Sequence, residues 1–394
     1  MHDVFVSYAH ENKDPVIRLQ HAILASGLTV WRDDDALNPG HLESEIRANI
    51  QRSSAYLLYV SEDMLASDCI WNVEIPEAYR QYTKDNQYVI SFIFPEDDDK
   101  IKARFGERFQ ALTNLSYHEF YYFDDHQTLE TICKKLVSAL KKRKSSSDEW
   151  RVGLITRQAF YVANDNHDFL INASPFFANA ENNYDLLRVG MQVVRKHVNS
   201  NVRLCPVAHL SACVMLGQVF SKTTGKKITI EGNKTIWSIT ENDHQVNERT
   251  IDFADFAGNA DCEDIVVAVD FTGNHCVKLV KEVETYVQKN ALPHAKRYTW
   301  EKEAGEISSE EAAVALVKGF DRALRRISNL QETATIHLFM AAPAPFAVMF
   351  GQLLNIVPGK EIKLYEYSNG TYQPTIVLDS NKDGEMIIEE PMST

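Results

Sequence analysis

A repeat within the second half of the chain constrains its fold more than any other feature. The segment Leu204–Ile230 (LCPVAHLSACVMLGQVFSKTTGKKITI) aligns without gaps with Leu338–Leu364 (LFMAAPAPFAVMFGQLLNIVPGKEIKL), 134 positions later. Each copy has the pattern of a strand, a small-residue turn, a helix and a second strand, which is one βαβ unit. Chance similarity of two such units is the alternative, but both copies contain Met-x-Gly-Gln, which favours duplication. Identical pairs include Ala208/Ala342, Val214/Val348, Met215/Met349, Gly217/Gly351, Gln218/Gln352, Gly225/Gly359, Lys226/Lys360 and Ile228/Ile362.

An apolar strand precedes each copy of the repeat. These strands are Val152–Thr156 and Ile265–Phe271. The sequence therefore predicts two similar α/β halves in one domain, with a cleft on a pseudo-twofold axis between them. Folds of this class bind ligands beyond the carboxyl ends of their strands, so a binding site is expected at that edge.

The first 145 residues alternate strands with helices, which predicts a doubly wound parallel sheet. The helix that opens at Asp14-Pro15 has apolar residues at helical spacing and is expected to stop at Gly27, where glycine is favoured. A helix at Leu42–Ser53 and a closing helix at Leu129–Lys142 alternate with the strands. The predicted strands are Val4–Ala9, Leu28–Trp31, Ala55–Val60, Tyr88–Phe94 and Leu115–Phe123.

One carboxylate follows the third predicted strand. Trp71 and Glu74 are three positions apart, so they share a face if this stretch is helical, and they lie beyond the carboxyl edge of the sheet. A solvated glutamate in the first turn of a helix is the better-supported interpretation of this stretch alone. Pro76 is compatible with a helix only in its first turn, so the helix is expected to begin near Asn72 or Val73.

Composition limits the classes of partner. The 394 residues favour two domains, and a hydrophobic content of 44% is enough for two cores. The net charge of −14 is not concentrated in one half and argues against binding of duplex nucleic acid. Neither a membrane-spanning run nor a signal layout is found, so a cytoplasmic protein without membrane partners is expected. The six cysteines contain no Cys-x-x-Cys pair, which predicts reduced thiols and no metal site.

Three motifs in the first 145 residues occur in the order and on the elements of a known family. The segments FVSYAHENK, LTVWRDDDALNPG and SDCIWNVEIPEA together resemble the TIR domain. TIR domains are either adaptors that bind other TIR domains or enzymes that cleave NAD. The resemblance implies that Glu74 is the catalytic residue of an NAD-cleaving enzyme. It also implies that Ser7, Tyr8, Arg32, Asp33 and Asp34 line the substrate crevice, although aspartates in such a run more often form a solvated acidic turn than bind a ligand.

One carboxylate suffices for the implied reaction. Cleavage of the bond between ribose and nicotinamide builds positive charge on the ribose, while nicotinamide leaves as a neutral base that needs no proton. Trp71 is expected either to form a wall against the nicotinamide or to pack in the core. NAD is the substrate here, so no cofactor is expected.

The carboxyl-terminal part resembles the SAVED domain, a fusion of two CARF-like halves that senses cyclic oligonucleotides made during phage infection. The residues that carry this resemblance are His337–Asn355 and Lys363–Leu378. The expected organisation is a TIR domain at 1–144, a linker at 145–149 and a SAVED domain at 150–394, with halves at about 150–248 and 249–394.

The combined resemblance implies an antiphage effector. A cyclic oligonucleotide of the cyclic triadenylate type would bind the SAVED domain and drive assembly of a homo-oligomer or filament, in which the TIR domains hydrolyse NAD to nicotinamide and ADP-ribose. The alternative is a non-catalytic TIR scaffold that recruits a partner through the loop Arg32–Gly40.

Candidate messenger-binding residues follow the strands of the two halves. Arg157 and Lys278 could contact phosphates, and Phe160 could stack on a base. An ordinary capping or surface role fits each residue taken alone equally well. The full set is Arg157, Gln158, Phe160, His209, Ser211, Thr272, His275, Lys278 and Pro343.

Overall fold

The computed structural model forms two compact units. One comprises residues 1–144, 169–173 and 189–199, and the other comprises 145–168, 174–188 and 200–394. No helix among the described residues is both long and apolar enough to cross a bilayer. The structure describes residues 2–32, 42–95, 97–124, 128–142, 144–145, 148–157, 167–177, 184–221, 227–232, 236–238, 249–259, 261–273, 277–302, 307, 309–329, 335–354, 361–368 and 370–379.

The first sheet has five parallel strands in the order β2-β1-β3-β4-β5. This strand order is that of flavodoxin-like doubly wound folds, as predicted. The elements are β1 (His2–Ser7), α1 (Lys13–Ala25), β2 (Val30–Arg32), α2 (Leu42–Arg52), β3 (Ser53–Tyr59), α3 (Glu62–Leu65), α4 (Ile75–Lys84), β4 (Val89–Ile93), α5 (Asp99–Thr113), β5 (Tyr121–Phe123) and α6 (Leu129–Leu140).

Local sequence explains where α1 ends. Its buried residues include Val16, Leu19 and Ile23, which recur at helical spacing. Ser26 follows the last helical residue, and Gly27 then adopts a φ of 75°. This left-handed conformation is the one in which glycine ends helices, so the predicted stop is confirmed.

The predicted fifth strand is wrong over its first part. Residues Tyr117–Glu119 form a 3₁₀ turn, and only Tyr121–Phe123 is a strand. The reason is a capping box, in which the Ser116 hydroxyl accepts from the His118 N–H at 3.3 Å and the Glu119 carboxylate accepts from the Ser116 N–H at 2.7 Å. The helix α5, which precedes this turn, was not among the predicted elements.

Four strands related by the repeat have the same order in the two halves of the carboxyl-terminal part, β6-β8-β9-β10 in the first and β12-β14-β15-β16 in the second. The first half forms the sheet β10-β9-β8-β6-β7, and the second forms β11-β13-β12-β14-β15-β16. The elements of the first half are β6 (Glu149–Ile155), β7 (Phe169–Asn172), α7 (Ser174–Phe177), α8 (Tyr184–His197), β8 (Asn201–Val207), α9 (Leu210–Val219), β9 (Ile228–Glu231) and β10 (Ile236–Ser238). Those of the second half are β11 (Ala254–Ala257), β12 (Ile265–Asp270), α10 (Val277–Lys289), β13 (Lys296–Glu301), α11 (Glu310–Asn329), β14 (Thr335–Ala341), α12 (Ala344–Leu354), β15 (Glu361–Ser368) and β16 (Thr371–Asp379).

Strand register confirms the duplication. Leu204 of β8 pairs with Ile230 of β9, and Leu338 of β14 pairs with Leu364 of β15, so both members of the pair are shifted by the same 134 positions. The outermost strands β10 and β16 are antiparallel to their neighbours in both halves. The predicted pair of pseudo-symmetric α/β halves is therefore correct.

The two repeated helices pack on each other through glycine. A Cβ atom placed on Gly217 of α9 would lie 2.0 Å from the Val348 carbonyl oxygen of α12. A Cβ atom on Gly351 of α12 would lie 2.0 Å from the Val214 carbonyl oxygen of α9. Since the repeat equates Gly217 with Gly351 and Val214 with Val348, this contact is isologous about the pseudo-twofold axis.

Candidate functional site

A π-helical turn, Ile70–Glu74, leads into α4. The Ile75 N–H donates to the Ile70 carbonyl, five residues back. Pro76 has no N–H to donate and lies in the first turn of α4, as predicted, although α4 itself begins only at Ile75. Turns of this kind occur frequently at functional sites.

Glu74 lies at the end of the π-helical turn and is only 4% exposed. Burial and the negative charge of Glu74 raise the pKa of the Tyr56 phenol well above its ordinary value, while the nearby Ser7 hydroxyl opposes this shift. Tyr56 is fully buried on β3. The structure thus groups the predicted residues Glu74 and Ser7 around a phenol that the sequence analysis missed.

Tyr8 and Arg32 lie together at the carboxyl ends of β1 and β2. The guanidinium carbon of Arg32 is 6.0 Å from the centroid of the Tyr8 ring, at the outer limit for a cation–π contact. The strand register explains this proximity, because Arg32 is paired with Val6, two residues before Tyr8. Arg32 is 8% exposed, so its charge is held in a largely desolvated position.

Two further polar residues connect the loops after β1 and β3. The Ser61 hydroxyl donates to the Asn12 amide oxygen at 2.6 Å and accepts from the Met64 N–H at 3.2 Å. Ser61 thereby caps α3 and fixes the chain after β3 to the chain after β1. Because this pair is 49 positions apart in the sequence, no local pattern indicated it.

Trp71 packs in the core. Its ring centroid is 5.7 Å from that of Phe105, and its indole N–H donates to the Leu65 carbonyl at 3.2 Å. The guanidinium carbon of Arg108 lies 4.3 Å from the indole centroid. These contacts agree with the core-packing interpretation of Trp71, and its contact with nicotinamide stays a prediction.

Glu77, one turn beyond Glu74, is also 4% exposed but has partners of its own. Arg80 donates to both of its carboxylate oxygens, at 2.6 and 3.1 Å, and Gln81 donates at 2.7 Å. Burial alone would raise the pKa of Glu77, but the bonds from Arg80 and Gln81 outweigh it and lower the pKa. Glu77 is therefore a structural ion-pair residue.

In the second unit, His209 is held at the start of α9. The Thr156 hydroxyl oxygen accepts from the His209 N–H and lies 2.7 Å from the ring nitrogen Nδ1. Burial and the nearby charge of Arg157 lower the pKa of His209 to about 4, so the imidazole is neutral at pH 7. Since the Thr156 hydroxyl can then donate to Nδ1, the remaining proton is assigned to Nε2. Phe177 stacks on this ring, with centroids 5.3 Å apart.

Ser211 follows on α9 and is fully engaged within the protein. Its hydroxyl lies 2.7 Å from that of Thr375, and its N–H donates to Glu366 at 2.6 Å. Tyr184 lies beside them, and burial together with the charge of Glu366 raises the pKa of its phenol. Glu366 and Tyr184 were not predicted as site residues.

The second half contributes residues at the ends of β12 and β14. Both the N–H and the hydroxyl of Thr272 donate to Asp270, at 2.6 and 2.7 Å. Pro343 precedes α12 and accepts from the Ala347 N–H at 3.2 Å. Lys278, in the first turn of α10, is exposed and so available to a ligand. Asp270 is completely buried and was not predicted.

Some predicted residues cannot be placed. Asp33, Asp34, Gln158, Phe160 and His275 lie outside the described residues. Within the described part, no group of three His, Cys, Asp or Glu side chains could hold a metal ion. The described cysteines, Cys69, Cys133, Cys205, Cys213 and Cys262, are free thiols.

Two family models match separate parts of the chain. The TIR domain model matches residues 4–133. The model of the SMODS-associated and fused to various effectors sensor domain, SAVED, matches residues 186–378.

Relatives share only part of their length with this chain. CD-NTase-associated protein 4 of Acinetobacter sp. (strain ATCC 27244 / 9458) and of Moraxella osloensis are each 27% identical over 174 residues, 43% of this chain. These residues cover 35% and 34% of the relatives, so the chain spans about a third of their length.

Two solved structures are similar at 15% identity. The Acinetobacter baumannii Cap4 SAVED/CARF-domain containing receptor with the cyclic trinucleotide 3'3'3'-cAAA has a TM-score of 0.48, with coverage of 93% of this chain and 97% of that one. The Moraxella osloensis Cap4 receptor has a TM-score of 0.44, with coverage of 94% and 99%. By its two family matches, this chain joins an amino-terminal TIR domain to a carboxyl-terminal SAVED sensor domain.

Proposed function

We propose that this protein is an antiphage effector that hydrolyses NAD to nicotinamide and ADP-ribose when a cyclic oligonucleotide binds its SAVED domain. The observation that carries the proposal is the placement of Glu74. It is a buried carboxylate in a π-helical turn of a TIR domain, and that TIR domain is joined in one chain to a sensor domain.

In this proposal Glu74 stabilises positive charge on the ribose. As the bond from the ribose C1′ to the nicotinamide nitrogen breaks, its electron pair leaves with neutral nicotinamide and the ribose becomes an oxocarbenium-like cation. Water then adds to C1′ and loses a proton, which gives ADP-ribose. Arg32, whose charge lies near the ends of β1 and β2, suits the diphosphate of NAD.

The burial of Glu74 supports regulation by the messenger. A side chain that is 4% exposed cannot meet a ribose unless the surrounding chain moves. An NAD-consuming enzyme harms its own cell, so a closed resting site is expected. We propose that messenger binding assembles the chains head to tail, and that the loop Arg32–Gly40 of one chain completes the pocket around Glu74 of its neighbour.

The messenger is proposed to bind where the strands of the sensor halves end. Arg157, which is exposed at the end of β6, and Lys278 supply positive charge, and neutral His209 supplies a ring donor beside Phe177. A cyclic triadenylate is the proposed activator, since the A. baumannii Cap4 receptor was solved with 3'3'3'-cAAA.

A second candidate is a non-catalytic TIR scaffold that recruits a partner. The same observation favours it, because a glutamate that is 4% exposed could simply be a structural residue. The two candidates differ in whether nicotinamide is released, which is directly measurable.

The decisive assay is nicotinamide release from NAD by the full chain, with and without 3'3'3' cyclic triadenylate. We expect the wild-type protein to release nicotinamide only in the presence of the messenger. Glu74→Gln should reduce that rate by a factor of about 100 or more, because it removes the charge that stabilises the transition state. Glu62→Gln is the matched control, since Glu62 is exposed and pairs with Arg104 on the same domain.

Messenger binding should be unchanged in both variants. Turnover by Glu74→Gln comparable to wild type would refute the assigned chemistry. If the wild-type protein binds the messenger but releases no nicotinamide, the result favours the scaffold.

A further inference from the structure

Glu366 is a partly buried carboxylate at the start of α9. It is carried by β15 of the second half, and it accepts from the Ser211 N–H of the first half at 2.6 Å. Burial raises the pKa of Glu366, while the nearby Ser211, Arg157 and Leu210 N–H oppose that rise. Glu366 thus occupies, from the opposite half of the sensor, the end of the helix where an anion is favoured.

This contact occurs in one half only. Continued two residues past the matched segment, the repeat equates Glu366 with Gly232, which has no carboxylate. It equates Ser211 with Pro345, which has no N–H to donate. The duplicated halves have therefore diverged at this position, although Gly217 and Gly351 still form a symmetric contact nearby in the same helices.

Glu366 also acts on the charges of the proposed messenger site. The positive charge of Arg157 reaches Glu366, His209 and Cys213. Among the groups that face Glu366, His209 is neutral, and the Tyr184 phenol and the Cys213 thiol are buried and uncharged. The carboxylate of Glu366 therefore offsets Arg157 in a site that has to bind a polyanion.

We propose that Glu366 is a resident negative charge that weakens the binding of cyclic oligonucleotides, and so raises the messenger concentration needed for activation. The inference rests on the proposed sensor function. The carboxylate opposes the phosphodiesters of the ligand through space, and a ligand that lacks several phosphates cannot overcome it. For an enzyme that destroys NAD, this gives a threshold against weak activation by ordinary nucleotides.

The test is the substitution Glu366→Gln, whose amide oxygen can still accept from Ser211. We expect the Kd for 3'3'3' cyclic triadenylate, measured by calorimetry at low salt, to fall about ten-fold, the size of one pKa unit shifted by a neighbouring charge. The difference should shrink at high salt. Glu361→Gln is the matched control on the same strand, where the carboxylate accepts from Thr335 at 3.0 Å, and it should leave the Kd unchanged.

A second variant should change the Kd in the opposite direction, and it leaves the contact between Glu366 and Ser211 in place. Gly232→Glu places a carboxylate at the repeat-equivalent position, where the side chain is partly exposed and the backbone φ is not positive. It should raise the Kd about ten-fold. If Glu366→Gln fails to fold, this variant alone decides.

The outcomes separate the two proposals. If wild type binds the messenger but Glu366→Gln binds equally or more weakly with an unchanged melting temperature, the role of Glu366 is refuted and the sensor function stands. Unchanged affinity in Gly232→Glu refutes it as well. If wild type binds no cyclic oligonucleotide, the sensor function and this inference are both overturned.

Discussion

The contact between α9 and α12 should tolerate no side chain larger than hydrogen at Gly217 or Gly351. In Gly217→Ala the new Cβ would lie 2.0 Å from the Val348 carbonyl oxygen, whereas ordinary contact begins at about 3.4 Å. The Gln352 N–H nitrogen lies 3.0 Å from the same position. Both neighbours are backbone atoms, so relief requires the helix axes to separate by about 1 Å.

Two opposing contributions set the expected change in the free energy of unfolding of Gly217→Ala. Overpacking of this kind costs about 3 kcal/mol, while alanine is favoured over glycine in a helix interior by about 1 kcal/mol. The net loss in free energy of unfolding is therefore about 2 kcal/mol, which for a unit of this size lowers the melting temperature by about 6 °C.

The assay is differential scanning calorimetry of the full chain. Pseudo-symmetry predicts that Gly217→Ala and Gly351→Ala destabilise equally. The double variant should cost well below the sum, because one separation of the helices relieves both clashes. Gly106→Ala is the matched control, since Gly106 lies inside α5 and its added Cβ would meet only the Tyr117 ring, at 3.1 Å. Single effects below about 0.5 kcal/mol, or full additivity, would refute the helix contact described above.

Two further predictions concern binding and assembly. Charge reversal of exposed Arg157 or Lys278 should weaken messenger binding about ten-fold at low salt and less at high salt, and unchanged affinity in both would show that the messenger binds another face. Inactive Glu74→Gln mixed with an inactive variant of the loop Arg32–Gly40 should regain NAD cleavage at saturating messenger, and full activity of a monomer in light scattering would exclude a shared pocket.

The carboxyl-terminal part was predicted well because its βαβ pattern is local in the sequence and occurs twice. Two copies of one βαβ pattern predict two similar halves, and the equivalent pairing of β8 with β9 and of β14 with β15 confirms them. The helix α5 was missed although Ile101, Phe105 and Phe109 recur at helical spacing, since the charged residues between them obscure the pattern. The fifth strand was overextended because aromatic residues favour strands, whereas the capping box of Ser116 and Glu119 starts a helical turn.

Candidate site residues were likewise predictable where a local sequence pattern places them, and not where a long-range contact does. Glu74 and His209 follow strands that the sequence shows, so their place at the sheet edge was predictable. Glu366 was not, because it meets Ser211 from 155 positions away, and nothing in its own strand distinguishes it from a surface glutamate. Tyr56 was hidden for another reason: in the apolar segment AYLLYV its ring is expected in the core, and only the fold shows that its hydroxyl lies near Glu74.

Glu74 and Glu77 are equally buried and one turn apart, but their carboxylates have different surroundings. Glu77 already has Arg80 and Gln81 as donors, and its lowered pKa shows that the protein has stabilised its charge. A carboxylate stabilised in this way gains little from a cation that appears during a reaction, because it must first give up existing bonds. Glu74 lies near the buried phenol of Tyr56, whose pKa is raised by burial and by the negative charge of Glu74. The catalytic role that we propose is therefore assigned to Glu74 and not to Glu77, whose bonds to Arg80 and Gln81 would have to break before it met a positive ribose.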